Sequence, residues 1–246
     1  MSMRGFTVSC VIAVVLCPLR LAADSFHYTL PLNADVIREP GGTAGGIGLS
    51  GAAYVTQSYA AANDPLTPHG LPDNGLVKGV QLGPYNGNNA LLLGTNSGTL
   101  LSIPPPYFFV LHVYAAADEG FGGFGGTAIK LSINKSHAVL YDQQSVSNWL
   151  NGGDFIGGMD TTGPGGNGFS DLNRAGISDI SFFVDNRDRS INSIFVENFP
   201  PPFAGGANVY LFAVEAMFPE PGTASTVTLA ALLLARRRRP LRGFGG

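Results

Sequence analysis

Between residues 25 and 218 the chain alternates short apolar runs with clusters of Gly, Pro, Asn and Asp. Inside the runs apolar residues recur at every second position, the period of a strand with one buried face. In "TAIKLSI", residues 127–133, Ile129, Leu131 and Ile133 fall on one face and Lys130 and Ser132 on the other. The same pattern predicts strands around "FHYTLPL", "GAAYVTQ", "LVKGVQL", "ALLLG", "TLLSI", "YFFVLHVYAA", "HAVLYD", "ISFFVD", "SIFVEN" and "NVYLFAVEAM". The run "YFFVLHVY" is apolar on both faces and reads as a central strand. No stretch sustains a 3.6-residue period, so little helix is expected. About ten strands in one domain predict an all-β body, a β-sandwich of jelly-roll type.

Two connections are unusually rich in glycine. "DEGFGGFGG", residues 118–126, reads as a hairpin loop, and "NGGDFIGGMDTTGPGGNGFSDLNRAG", residues 151–176, as a long connection nearly without structure. Composition agrees with many turns: 34 glycines and 17 prolines in 246 residues, with only 13% charged residues. The net charge of -3 hides an asymmetry. Arg4 and Arg20 lie near the start, and Arg236, Arg237, Arg238, Arg239 and Arg242 near the end. Seven basic residues lie between them, against all 17 acidic ones, a formal net of -10. Such a body repels a phosphate backbone, which argues against nucleic acid as a partner. Both cysteines, Cys10 and Cys17, lie in the N-terminal apolar run, so a body without that run has no thiol for a disulfide or a metal.

The two ends read as addresses. Arg4 precedes an apolar run over residues 6–16, too short to span a bilayer, and small residues follow at Ala22 and Ala23. This is the pattern of a short helical secretory signal peptide, residues 1–23, cut by signal peptidase near Ala22 or Ala23. At the other end, residues 222–235 form a 14-residue run of mostly apolar character. As a helix it would be about 21 Å long at about 1.5 Å per residue, against a bilayer core of about 30 Å. That length suits a transient stop at the inner membrane, held by arginines on the cytoplasmic side.

Three ordered parts make up residues 218–246: Pro219, Glu220 and Pro221, then the apolar residues 223–235, then Arg236, Arg237, Arg238 and Arg239. This order closely resembles the PEP-CTERM sorting signal of Gram-negative bacteria. The resemblance implies an exosortase that recognises and removes a short helical tail and passes the protein to the cell surface or to exopolysaccharide. In the body, "GLPDNG", "VQLGPYNGNNALLL", "LLSIPPPYFFVLHVYAAA", "AVLYDQQSVSNWL", "SINSIFVENF" and "NVYLFAVEAM" together resemble bacterial β-sandwich domains of the galactose-binding-like kind. That resemblance spans most of residues 71–217. It implies the jelly-roll fold for a domain over residues 24–217, and a setting beside glycoside hydrolases or among secreted bacterial proteins.

Candidate chemistry is sparse. Glycoside hydrolysis needs two carboxylates across a cleft, yet only Glu197 and Glu215 fall within expected strands. Asp73, Asp142 and Asp185 read as turn and strand-end residues that bond nearby backbone. The four histidines, His27, His69, His112 and His137, form no metal-ligand spacing. His112 reads as a core histidine with a hydrogen bond. No cofactor is expected. "VDNRDRS" offers Asp185 and Asp188 as weak calcium candidates, although Arg187 and Arg189 put positive charge in the same turn and a plain hairpin is the favoured reading. For a sugar, Trp149 supplies a stacking ring, and Tyr85 and Asn88 in "PYNGNNAL" supply a ring and an amide. The bland alternatives are a core tryptophan, which is favoured, and an Asn-Gly turn needed only for folding.

The sequence thus reads as a non-enzymatic, exported β-sandwich protein of the cell surface or exopolysaccharide, with polysaccharide as its candidate partner. Two rivals stand beside it: a purely structural surface protein without a small ligand, and a glycan-active hydrolase whose site is unrecognised.

Overall fold

The computed structural model describes residues 25–48, 50–101, 108, 110–118, 126–135, 138–184, 191–199 and 207–218. They belong to one compact unit, Asp24–Pro219. Ala22 and Ala23, Pro219, Glu220 and Pro221, and Arg236, Arg237, Arg238 and Arg239 lie outside the described residues, as do Asp185 and Asp188.

The described body is mostly β. Its strands are β1 (Ser25–His27), β2 (Ile37–Arg38), β3 (Tyr54–Val55), β4 (Leu76–Val77), β5 (Val80–Gln81), β6 (Leu91–Leu93), β7 (Gly98–Leu101), β8 (Val110–Ala117), β9 (Gly126–Lys135), β10 (Ala138–Ser147), β11 (Ile156–Thr161), β12 (Ser170–Phe183), β13 (Ile191–Asn198) and β14 (Val209–Met217). The larger sheet runs β1-β14-β8-β12-β11-β3-β2, with β6 also on β14; the smaller runs β10-β9-β13-β7; β4 and β5 form a separate hairpin. All named strand pairs are antiparallel except β2 with β3.

The two sheets share one core in the manner of a β-sandwich. Leu111 and Val113 of β8, Phe182 of β12 and Leu211 and Val214 of β14 pack with Ile129, Leu131 and Ile133 of β9 and Ile194 and Val196 of β13. The period-2 pattern of β9 produces this directly, because Ile129, Leu131 and Ile133 are buried while Lys130 and Ser132 are not. A second core covers the opposite face of the larger sheet. There Tyr114 and Ala116 of β8, Ile177 of β12 and Phe212 of β14 pack against Ile37, Ile47, Tyr54, Leu71, Trp149 and Phe155. β8 is therefore buried on both faces, as its doubly apolar sequence requires, and it lies between β14 and β12.

Several expectations need correction. Residues 57–63, next to an expected strand, form helix α1 (Gln57–Asn63). It begins where the Thr56 side chain accepts the Tyr59 N–H, and its seven residues are too few to display a sustained period. The long glycine-rich connection contains β11 and the first half of β12. Its glycines mark backbone packed on backbone: a Cβ on Gly176 would lie 2.2 Å from the Gly153 nitrogen, and one on Gly153 would lie 2.1 Å from the Ile177 oxygen. No side chain fits there, so the alternation that announces a strand is erased. β8 and β9 lie in different sheets, as do β12 and β13, so neither pair is a hairpin; the glycine-rich run between the first pair and residues 185–190 between the second lie outside the described residues, apart from Asp118 and Gly126.

Candidate functional site

Strand register places four polar residues side by side. His27 of β1 stands opposite Glu215 of β14, Glu215 opposite His112 of β8, and His112 opposite Ser181 of β12. Residues two apart on a strand share a face, so Tyr114 and Asp179 join this row. Glu215 is buried, and its carboxylate meets three groups: His27 Nδ1 at 2.9 Å, the Tyr114 hydroxyl at 3.0 Å and Ser25 Oγ at 3.4 Å. The Asp179 carboxylate oxygens lie 2.8 and 3.0 Å from His112 Nδ1, and Ser181 Oγ lies 3.2 Å from the same nitrogen. The imidazole is stacked on Tyr114 with 11° between the planes.

These contacts set the electrostatics. The hydrogen bond that the His112 ring donates to the Asp179 carboxylate raises the His112 pKa above the usual histidine range, burial opposes it, and the charges of Asp179 and Glu215 add to the rise. Burial, with the charges of Glu215 and Asp179, pushes the Tyr114 phenol far up, so it stays a donor. Ser181 is not set up as a nucleophile by His112. A relay needs the acid on one ring nitrogen and the hydroxyl on the other, whereas here both converge on Nδ1. The cluster orients Asp179.

Asp179 also faces a cleft. β11 meets β12 only through Ile177 and earlier residues, while residues 178–183 pair with β8 alone among the described residues. No described strand pairs with the other edge of that stretch, and the Asp179 N–H on it donates to Asp154 Oδ1 at 2.8 Å. Between this edge and β10 lies a cleft of about 620 Å³ lined by Gln144, Ser147, Asn151, Asp154, Asp179 and Ser181, among others.

No protein family matches the chain, and no curated protein matches it.

The sugar-contact candidates do not assemble into one site. Trp149 is only 1% exposed and lies edge-on to Tyr54, 5.6 Å between centroids, inside the second core. It offers no ring face to a ligand, as the favoured core reading held. Tyr85 is likewise buried in that core. Asn88 is exposed, with its amide 3.4 Å from the Leu32 carbonyl. Its neighbour Asn89 is fully buried and accepts the Val36 N–H at 2.8 Å while donating to Asp35 at 2.7 Å, a folding role for this turn. Trp149 still matters to the cleft, because it anchors the 3₁₀ turn Trp149–Asn151 that presents Asn151.

Asp73 and Asp142 accept backbone N–H groups, of Ser58 and Gln143, both at 2.9 Å. Glu197 and Glu215 lie in different sheets. No group of three or more metal-ligating side chains occurs among the described residues. Asp154 and Asp179 were not singled out from the sequence. The one available signal was a polar residue interrupting an apolar strand, as in "VLHVY" and "ISDIS".

Proposed function

We propose that this is an exported β-sandwich protein, sorted by an exosortase to the surface of a Gram-negative-type bacterium, where its jelly-roll body associates with exopolysaccharide. The observation that carries the sorting part is the order of Pro219, Glu220 and Pro221, an apolar run, and Arg236, Arg237, Arg238 and Arg239. The chain passes repeatedly between sheets, from β6 to β7 to β8 to β9 and again from β12 to β13 to β14. That alternation favours the jelly-roll reading of the fold. The glycan part draws on the open polar cleft, whose side chains match hydroxyls better than apolar groups.

A structural role through self-association is the second reading. It is favoured by Phe183 and Leu100, 79% and 65% exposed, on the open stretch of β12 and on the edge strand β7.

Two variants in the host test the sorting part. Alanines at Pro219, Glu220 and Pro221 leave membrane arrest intact but remove the recognised motif, so uncut protein should collect at the inner membrane. Neutral residues at 236–239 remove the charge that halts translocation, so unprocessed protein should collect in the periplasm. Normal surface delivery of both variants would refute exosortase sorting.

A further inference from the structure

We propose that the cleft between β10 and the open edge of β12 binds an uncharged polysaccharide segment through its hydroxyl groups. The proposal rests on the proposed function for the kind of partner, and on the cleft for the chemistry of recognition.

Among the described residues, the charged side chains that line the cleft are Asp154 and Asp179, and no Lys, Arg or His joins them. Carboxylates only accept hydrogen bonds, so the ligand must bring donors. An anionic chain would meet two like charges, with no cation among the described lining residues. A cationic amine brings donors but fits the rest of the wall poorly. Gln144, Ser147, Asn151 and Ser181 each donate as well as accept, and an ammonium offers their N–H and O–H groups nothing to bond. A sugar hydroxyl both donates and accepts, which is the pattern this wall presents. Asp179 has less need of a ligand cation, because both its oxygens already face His112 Nδ1.

The wall is held in place before any ligand arrives. Asp154 is oriented by the Asp179 N–H and Asp179 by His112, and the backbone of Asn151 is held by its N–H on the Asn148 carbonyl at 3.0 Å. Fixed polar groups spare the ordering cost of binding. Gly152, Gly153, Gly157 and Gly158 contribute to the lining without side chains, which leaves peptide groups within reach. At about 620 Å³ the cleft falls in the roughly 300–1,000 Å³ range of small-ligand sites. A second depression of about 520 Å³ shares Asn151, Gly152 and Gly158 with it and reaches Arg174.

Calorimetric titration of the full chain tests the proposal, with neutral gluco-, manno- and galacto-hexasaccharides, an oligogalacturonate and a chitosan oligosaccharide as probes. At least one neutral hexasaccharide should bind. Asp154→Ala should weaken it tenfold or more, while Asn192→Ala, on the smaller sheet, should leave it unchanged. Should Asp154→Ala unfold, the double variant Ser147→Ala with Asn151→Ala, at two exposed positions, must weaken binding at least fivefold. Binding of the galacturonate or chitosan alone, or of no probe, would overturn the proposal. Neutral binding untouched by either variant would also overturn it, yet would leave the glycan association of the proposed function standing.

Discussion

His112 on β8 and Asp179 on β12 are joined through one nitrogen: Nδ1 lies 2.8 and 3.0 Å from the two carboxylate oxygens. The pair links the sheet interior to the cleft, because Asp179 lines the cleft while His112 stacks on Tyr114 of the second core.

This pair makes stability depend on pH. The folded-state pKa of His112 is raised, chiefly by its hydrogen bond with Asp179. The stabilisation is therefore fully present below the unfolded histidine value of about 6.5 and is lost as pH rises through the higher folded value. Asp179→Asn should cost about 1.5–3 kcal/mol at pH 5.5, the range for a hydrogen bond to a charged group, and clearly less at pH 9. Urea unfolding of both proteins at the two pH values checks this, and an equal loss at both would refute the pairing.

Glu215 is a buried carboxylate that needs its donors. Tyr114→Phe removes the hydroxyl 3.0 Å from Oε2 and keeps the ring packed on Phe155. The expected loss is about 1.5–3 kcal/mol, read as a lower urea midpoint with an unchanged slope.

Backbone packing at the start of the cleft predicts a contrast between two glycines. Gly176→Ala drives a methyl into the Gly153 backbone, whereas a Cβ on Gly87 meets nothing within 4 Å. Gly176→Ala should destabilise by at least about 1–3 kcal/mol, as overpacking does, and Gly87→Ala should be near neutral. Thermal melts of the two variants, compared with the parent, decide it.

Where side chains carry the signal, the fold was legible. The alternation in residues 127–133 yielded β9 with the correct buried face, and the doubly apolar run yielded the central strand β8. Where glycine replaces side chains, the pattern disappears, and β11 with the first half of β12 carries no strand signal in the sequence. Helix α1 was missed because its start depends on one capping hydroxyl at Thr56 rather than on a periodic face. The candidate site was the least legible part. His112 and Asp179 are 67 residues apart, and their meeting is a matter of strand register, which a single strand's composition does not encode. The ring of Trp149 fixes its turn from inside the second core, while Asn151 of the same turn lines the cleft.

The core between the sheets gives a reference for these losses. Ile194 of β13 is fully buried among residues of both sheets. Ile194→Ala should cost about 2–5 kcal/mol, and chemical denaturation measures it directly.

Intact-mass spectrometry of protein released from the cell surface tests the proposed processing at both ends. The expected species has lost residues 1–23, with both cysteines, and the arginines at 236–239. A surface species whose mass still includes Arg236, Arg237, Arg238 and Arg239 would contradict it.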